Sequence, residues 1–187
     1  MEGGGTSGTL PTGGLNYAHD VPRRWREANP PYPDTMLEQA VSVARELGPE
    51  SGRGLIHTDL HYENVLASLP ESAARRGEWL AIDPKPITWD PEFWVLSLVW
   101  NRLGVPADPA ADLLRRMRVA AEVGGLDIDL VMGWSIIRLV ETTIWDSEIG
   151  AGEGDHHPAW IVEALTGGFW SFDVPTRRGR AVSPGTH

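Results

Sequence analysis

The chain has 187 residues, 41% of them apolar, with nine Trp, no Cys and a formal net charge of −10. That length suits one compact domain with a real core and not two full ones, while the acidic balance argues against general nucleic-acid binding and the missing Cys excludes disulfides, Cys-ligated zinc and thiol catalysis. No apolar run approaches the ~20 residues of a bilayer span, no polybasic stretch suits a membrane surface, and MEGGGTSGTLPTGG has neither part of a secretory signal, so a soluble, cytoplasmic protein is expected.

In chain order, residues 1–31 are predicted to form a poorly ordered N-terminal segment. Gly3 to Gly5, Gly13, Gly14 and the prolines from Pro11 to Pro31 suit neither a helix nor a strand. Tyr17 and Trp25 are the residues expected to anchor it. The body is expected over 32–173, with a flexible tail over 174–187. Met36, Leu37, Ala40, Val41, Ala44 and Leu47 recur at helical spacing, begun by Pro33 and Asp34 and stopped by Gly48-Pro49. Residues 54–84 break this pattern. GLIH, NVLAS and EWLAID are short apolar runs, the last two separated by the polar linker PESAARRG. They predict short strands and a hairpin that hold a polar loop. Further helices are expected over 91–103 (Phe93, Leu96 and Trp100 on one face), 109–123 (Leu113, Leu114, Met117, Ala120), 127–146 (Leu130, Trp134, Ile137, Ile144) and 157–167 (Trp160, Ile161, Ala164, Leu165). The fold class is therefore α+β and mainly helical, the helices giving the core and the loop the chemistry.

The loop reads His57-Thr58-Asp59-Leu60-His61-Tyr62-Glu63-Asn64, the H-x-D-x-x-x-x-N pattern of a kinase catalytic loop. A carboxylate such as Asp59 can both aim a hydroxyl and accept its proton. Asn64 offers a neutral oxygen to a hard cation without adding negative charge beside a polyphosphate. His57 is expected to hold the loop and not to take part in the chemistry. Downstream, Trp79-Leu80-Ala81-Ile82-Asp83-Pro84 is an apolar strand ending in a carboxylate. A phosphate-bridging Mg²⁺ takes one or two carboxylates plus waters and phosphate oxygens, which fits Asp83 with Asn64. The competing explanation makes Asp59 and Asp83-Pro84 ordinary turn residues and Asn64 a cap.

HTDLHYENVLA, EWLAIDPKP and WDPEFWVLSLVWNR together resemble the aminoglycoside phosphotransferases, in the branch of streptomycin 6-kinases and hydroxyurea phosphotransferases. The likeness runs from about Trp25 to about Gly168. It implies a protein-kinase-like fold, of which this chain would be the C-terminal lobe, its hairpin carrying the catalytic loop. It also implies ATP as co-substrate, Mg²⁺, and transfer of the γ-phosphoryl group to an alcohol of a small molecule such as an aminoglycoside-type antibiotic. By position, Asp59 is then the catalytic base, Asn64 and Asp83 the Mg²⁺ ligands, and His61 a loop-bracing residue beside His57. Lys85 either approaches a phosphate oxygen of the nucleotide or is a solvated residue after a turn. Two positions depart from the family pattern: Thr58 replaces a frequent Gly, and Trp94 stands where many relatives have an Asp that braces the loop.

A kinase of this kind needs a Gly-rich loop over the phosphates and a strand Lys upstream of the catalytic loop. Only 56 residues precede His57, and Lys85 is the one Lys of the chain. The N-terminal β lobe is thus expected to be absent and the chain inactive alone, with self-association through the uncovered face. A non-catalytic small-molecule or partner-binding module on the same lobe is the alternative. Trp145, Asp146, Glu148, Glu153 and Asp155 either line an acceptor site for a cationic substrate or form a solvated loop. His156-His157 lacks a third ligand for a metal. Trp89, in a Pro- and Asp-rich turn, is expected at the surface or in a pocket.

Overall fold

The computed structural model describes residues 14–52, 54–69, 77–100, 107–150, 161 and 164–165. Helix α1 (Gly14–Ala28) is followed by α2 (Asp34–Leu47) and a 3-10 turn at Gly48–Glu50. Strands β1 (Gly54–His57), β2 (Val65–Ala67), β3 (Trp79–Ala81) and β4 (Pro86–Trp89) come next. A 3-10 turn at Pro91–Trp94 leads into the short α3 (Val95–Val99), then α4 (Pro109–Gly124) and α5 (Ile128–Glu148).

The helices make the core. Met36, Ala40, Val43, Ala44 and Leu47 of α2 bury one face, packed against α1 and α5. From Leu130 to Ile144, α5 is buried almost all round, as a central helix must be. Asp108 caps α4 by accepting from the Ala111 N–H at 3.0 Å, and Gly125 ends it at φ +61°, a left-handed conformation that glycine adopts at little cost. Asp127 caps α5 through the Asp129 N–H. No helix among the described residues is long and apolar enough to cross a membrane.

The strands form two separate antiparallel pairs, β1 with β4 and β2 with β3. Gly54 lies opposite Trp89 and His57 opposite Pro86 in the first, Val65 opposite Ala81 and Ala67 opposite Trp79 in the second. The hairpin expected from NVLAS and EWLAID is the second pair. Strand β4 was not expected, since PKPITW is broken by prolines. Pro86 is tolerated because it is the first residue of its strand.

The N-terminal segment is the main correction. Residues 14–28 are a helix and not a poorly ordered stretch, and it runs through Pro22. Val21 and Trp25 are fully buried in the core. The Trp25 Nε1–H donates to Asp34 Oδ1 at 3.0 Å, and Arg24 Nη1 pairs with Glu141 Oε2 on α5 at 2.9 Å. Tertiary burial outweighs poor intrinsic propensity here. The body therefore begins well before residue 32. The helix expected over 91–103 opens as a 3-10 turn and becomes α-helical only at Val95. Trp89 is half-buried, with its ring packed at 5.4 Å from Trp134 and 5.9 Å from Phe93. Trp134 is core, as expected. The tail over 174–187, His156-His157 and most of 157–167 lie outside the described residues, within which Ile161, Ala164 and Leu165 are buried.

Candidate active site

The polar loop leaves β1 at His57 and re-enters β2 at Val65, and a short turn at Tyr62–Asn64 closes it. Hydrogen bonds fix its shape. The Asn64 Nδ2–H donates to the Asp59 carbonyl at 2.8 Å and lies 3.2 Å from His61 Nε2. The Asn64 backbone N–H donates to the His61 carbonyl at 2.9 Å. His57 uses both ring nitrogens: Nε2 donates to the Ile82 carbonyl at 2.9 Å, and Nδ1 accepts from the Asp59 N–H at 3.3 Å. That pair of bonds requires the neutral ring with its proton on Nε2.

A second segment, Ile82 to Lys85, is tied to this loop at both ends. The Ile82 N–H donates to the Asn64 carbonyl at 2.9 Å. The Lys85 carbonyl accepts from the Thr58 N–H at 3.3 Å and from Thr58 Oγ1 at 2.7 Å. Asp83, between these ties, is exposed and has φ +50°, a left-handed conformation in which Asp is enriched among non-Gly residues. The two motifs distant in sequence thus meet at one open corner. Lys85 Nζ donates to Asp59 Oδ2 at 2.6 Å, and His61 Nε2 stands 3.9 Å from Asp59 Oδ1.

The donor set fits a hard cation. Among the described residues both side-chain contacts of Asn64 use its amide nitrogen, so its amide oxygen is the atom that could face a cation. The Asp83 carboxylate lies exposed on the same corner. One carboxylate and one neutral oxygen suit a Mg²⁺ that keeps waters and phosphate oxygens as its other ligands. Among the described residues no group of three or more His, Cys, Asp or Glu could hold a metal by itself. Trp145 is exposed at the end of α5, while Glu148 pairs with Arg24 at 3.4 Å.

Asp90, Gly52 and Arg138 gave no motif signal. Asp90, buried directly after β4, accepts from the Gly52 backbone N–H and, at 3.0 Å, from the Trp134 indole. It ties the strand corner to α5. A Cβ at position 52 would collide with the Asp90 carboxylate, so a larger residue there would force Asp90 or the chain to shift. Arg138, inside the apolar run of α5, reaches toward the corner and lies 5.8 Å from the Phe93 ring centre. Burial pulls its pKa below the usual guanidinium value, and the charges of Asp59 and Glu141 oppose that shift. Trp94 is half-buried against the core.

The family model for aminoglycoside/hydroxyurea antibiotic resistance kinases matches residues 17–150. A streptomycin 6-kinase of Streptomyces glaucescens is 36% identical over 151 residues, covering 79% of this chain and 47% of that protein. A streptomycin 6-kinase of Streptomyces griseus is 37% identical over 134 residues, 70% of this chain and 42% of that protein. A hydroxyurea phosphotransferase of Kitasatospora aureofaciens is 32% identical over 132 residues, 71% of this chain and 36% of that protein. The chain thus spans less than half the length of these relatives. No solved structure matches it with significance. With its loop motif, its IDPKP strand end and a match that covers the whole described corner, the chain belongs to the aminoglycoside/hydroxyurea antibiotic resistance kinase family.

Proposed function

We propose that this chain supplies the hydroxyl-activating and metal-holding part of an ATP-dependent phosphotransferase whose acceptor is an alcohol of a small molecule. The observation that supports the reading is the union of the 57–64 loop with the 82–85 segment, whose backbones are tied at Asn64 to Ile82 and at Thr58 to Lys85. Asp59 accepts the proton of the acceptor hydroxyl as that oxygen bonds to the γ-phosphorus. The bond from the γ-phosphorus to the β,γ-bridging oxygen breaks, and ADP leaves with the electron pair. Asn64 and Asp83 would hold Mg²⁺, which when bound neutralises phosphate charge. His57 and His61 brace the loop, so that the base is positioned before the acceptor arrives. Such catalysis is mostly orientation and charge neutralisation.

Lys85 is the one Lys of the chain and follows the catalytic loop. In this reading the upstream phosphate-cradling loop and its Lys belong to the part of the relatives' length that this chain does not span, and this segment alone turns over little ATP. The acceptors named for the relatives, streptomycin and hydroxyurea, are the first to test. A protein of the relatives' length carrying this segment is expected to show Mg²⁺-dependent, acceptor-dependent ADP release. Asp59→Ala should lower it by at least the ~10²-fold that a positioned base supplies. No turnover with any alcohol acceptor in that longer protein would leave a non-catalytic binding module as the better account.

A further inference from the structure

Lys85 combines a backbone held on both sides with an exposed side chain. Pro84 and Pro86 flank it and restrict the chain on both sides. Its carbonyl is held by two donors of Thr58, and Pro86 begins the strand paired with β1. Its side chain is 65% exposed, yet Nζ closes on Asp59 Oδ2 at 2.6 Å. An exposed ion pair is weak, and a polyphosphate carries several charges where Asp59 carries one. An ammonium on a flexible four-carbon stem can follow the larger charge without moving its backbone.

We infer that Lys85 is a two-position cation: it clamps Asp59 in the free site and turns to phosphoryl oxygens when a polyphosphate enters, releasing the carboxylate to accept the hydroxyl proton. Thr58 is the positioning residue for this exchange. Its buried hydroxyl holds the Lys85 carbonyl and so sets where the ammonium starts. The inference rests on the phosphotransfer reading of Asp59 and adds to it a gate on the base.

Because Lys85 is the single Lys, reductive ¹³C-methylation of the whole chain labels only it and the α-amino group. Methylation retains the charge. The Lys85 signal is expected to be displaced from the free-lysine position and to move to that position in Asp59→Asn. Inorganic tripolyphosphate with Mg²⁺ should shift it in both proteins. Thr58→Gly should move the signal of the free chain toward free lysine, and Thr58→Ser should restore it. Lys85→Met should weaken tripolyphosphate binding about tenfold by calorimetry, one decade of affinity. An unchanged signal in Asp59→Asn would overturn the clamp, and a signal that ignores saturating tripolyphosphate would overturn the exchange. The label reads the amine with no need for turnover. Turnover by the longer protein, with a Lys85 label in this chain that ignores tripolyphosphate, sinks this inference alone. A label that moves in this chain while the longer protein shows no turnover sinks the phosphotransfer reading instead.

Discussion

The helical body and the strand corner are held together by different means. In the body, Trp25, Met36, Leu113, Met117, Trp134 and Ile144 are fully buried, and stability follows from apolar area removed from water. In the corner the strands have three or four residues, and Leu55, Leu66 and Trp79 stand largely exposed. Two-stranded pairs of this size are marginal on their own. What fixes the corner is a set of polar ties: His57 to the Ile82 carbonyl, Thr58 to the Lys85 carbonyl, and Asp90 to Gly52 and Trp134. Hydrogen bonds set direction where packing alone would not. An open corner can therefore be held in shape without being buried.

The largest expected effect joins the two regions. Trp134→Ala should cost about 3–5 kcal/mol in urea unfolding, since it opens a cavity in the Trp89–Phe93–Trp134 cluster. It also leaves the Asp90 carboxylate short of a donor. A cost near that of an isolated surface residue would show that the cluster is not the joint between body and corner.

Gly52→Ala should come next, at about 1–3 kcal/mol, because the added methyl collides with Asp90 and the chain must shift. The same variant is expected to lower turnover of the longer protein through the catalytic loop. A stability loss with unchanged turnover would separate the Asp90 tie from the site.

The third effect tests the tie that holds α1. Burial raises the pKa of Glu141, and Arg24 opposes that shift. Arg24→Met should cost about 1–2 kcal/mol and raise the Glu141 pKa further. The sign follows from linkage. A carboxyl with a raised folded pKa keeps its proton in the folded chain after the unfolded chain has lost its own. Its contribution is full below the ordinary Glu value of 4.5 and is lost as pH rises through the folded pKa. Unfolding of Arg24→Met across that range should show stability falling with pH, and adding Glu141→Gln should flatten the slope.

The smallest effects belong to the exposed corner. Leu66→Ser, Trp79→Ser and Asp83→Asn should each change stability by within about 0.5 kcal/mol, as substitutions at exposed positions do. Asp83→Asn should nevertheless remove Mg²⁺-dependent turnover in the longer protein. Large destabilisation by Leu66→Ser or Trp79→Ser would show that the corner relies on packing after all.

Helices α2, α4 and α5 were legible because their apolar residues recur at helical spacing, and α2 also carries Asp34 at its start and Gly48 at its end. That the 57–64 loop and the IDPKP segment belong to one corner was legible from their two motifs, and the structure ties them together. Strand β4 was not, because its partner lies in β1, some thirty residues upstream, and its prolines argue locally against a strand. Asp90 looked like a turn residue. Only the fold brings it beside Gly52 and Trp134. Arg138 was hidden in an apolar helix whose period says where a residue faces and not what charge lies opposite.

The sequence by itself determined the family, the α+β class, three of the four long helices of the body and the types and order of Asp59, Asn64 and Asp83, since each depends on local spacing or on one side chain's chemistry. Tertiary structure alone decided that residues 14–28 join the core and that Lys85 meets Asp59. It alone also decided that Asp90 joins corner to body. These are contacts between distant segments, and their energy comes from burial and pairing that exist only once both segments are in place.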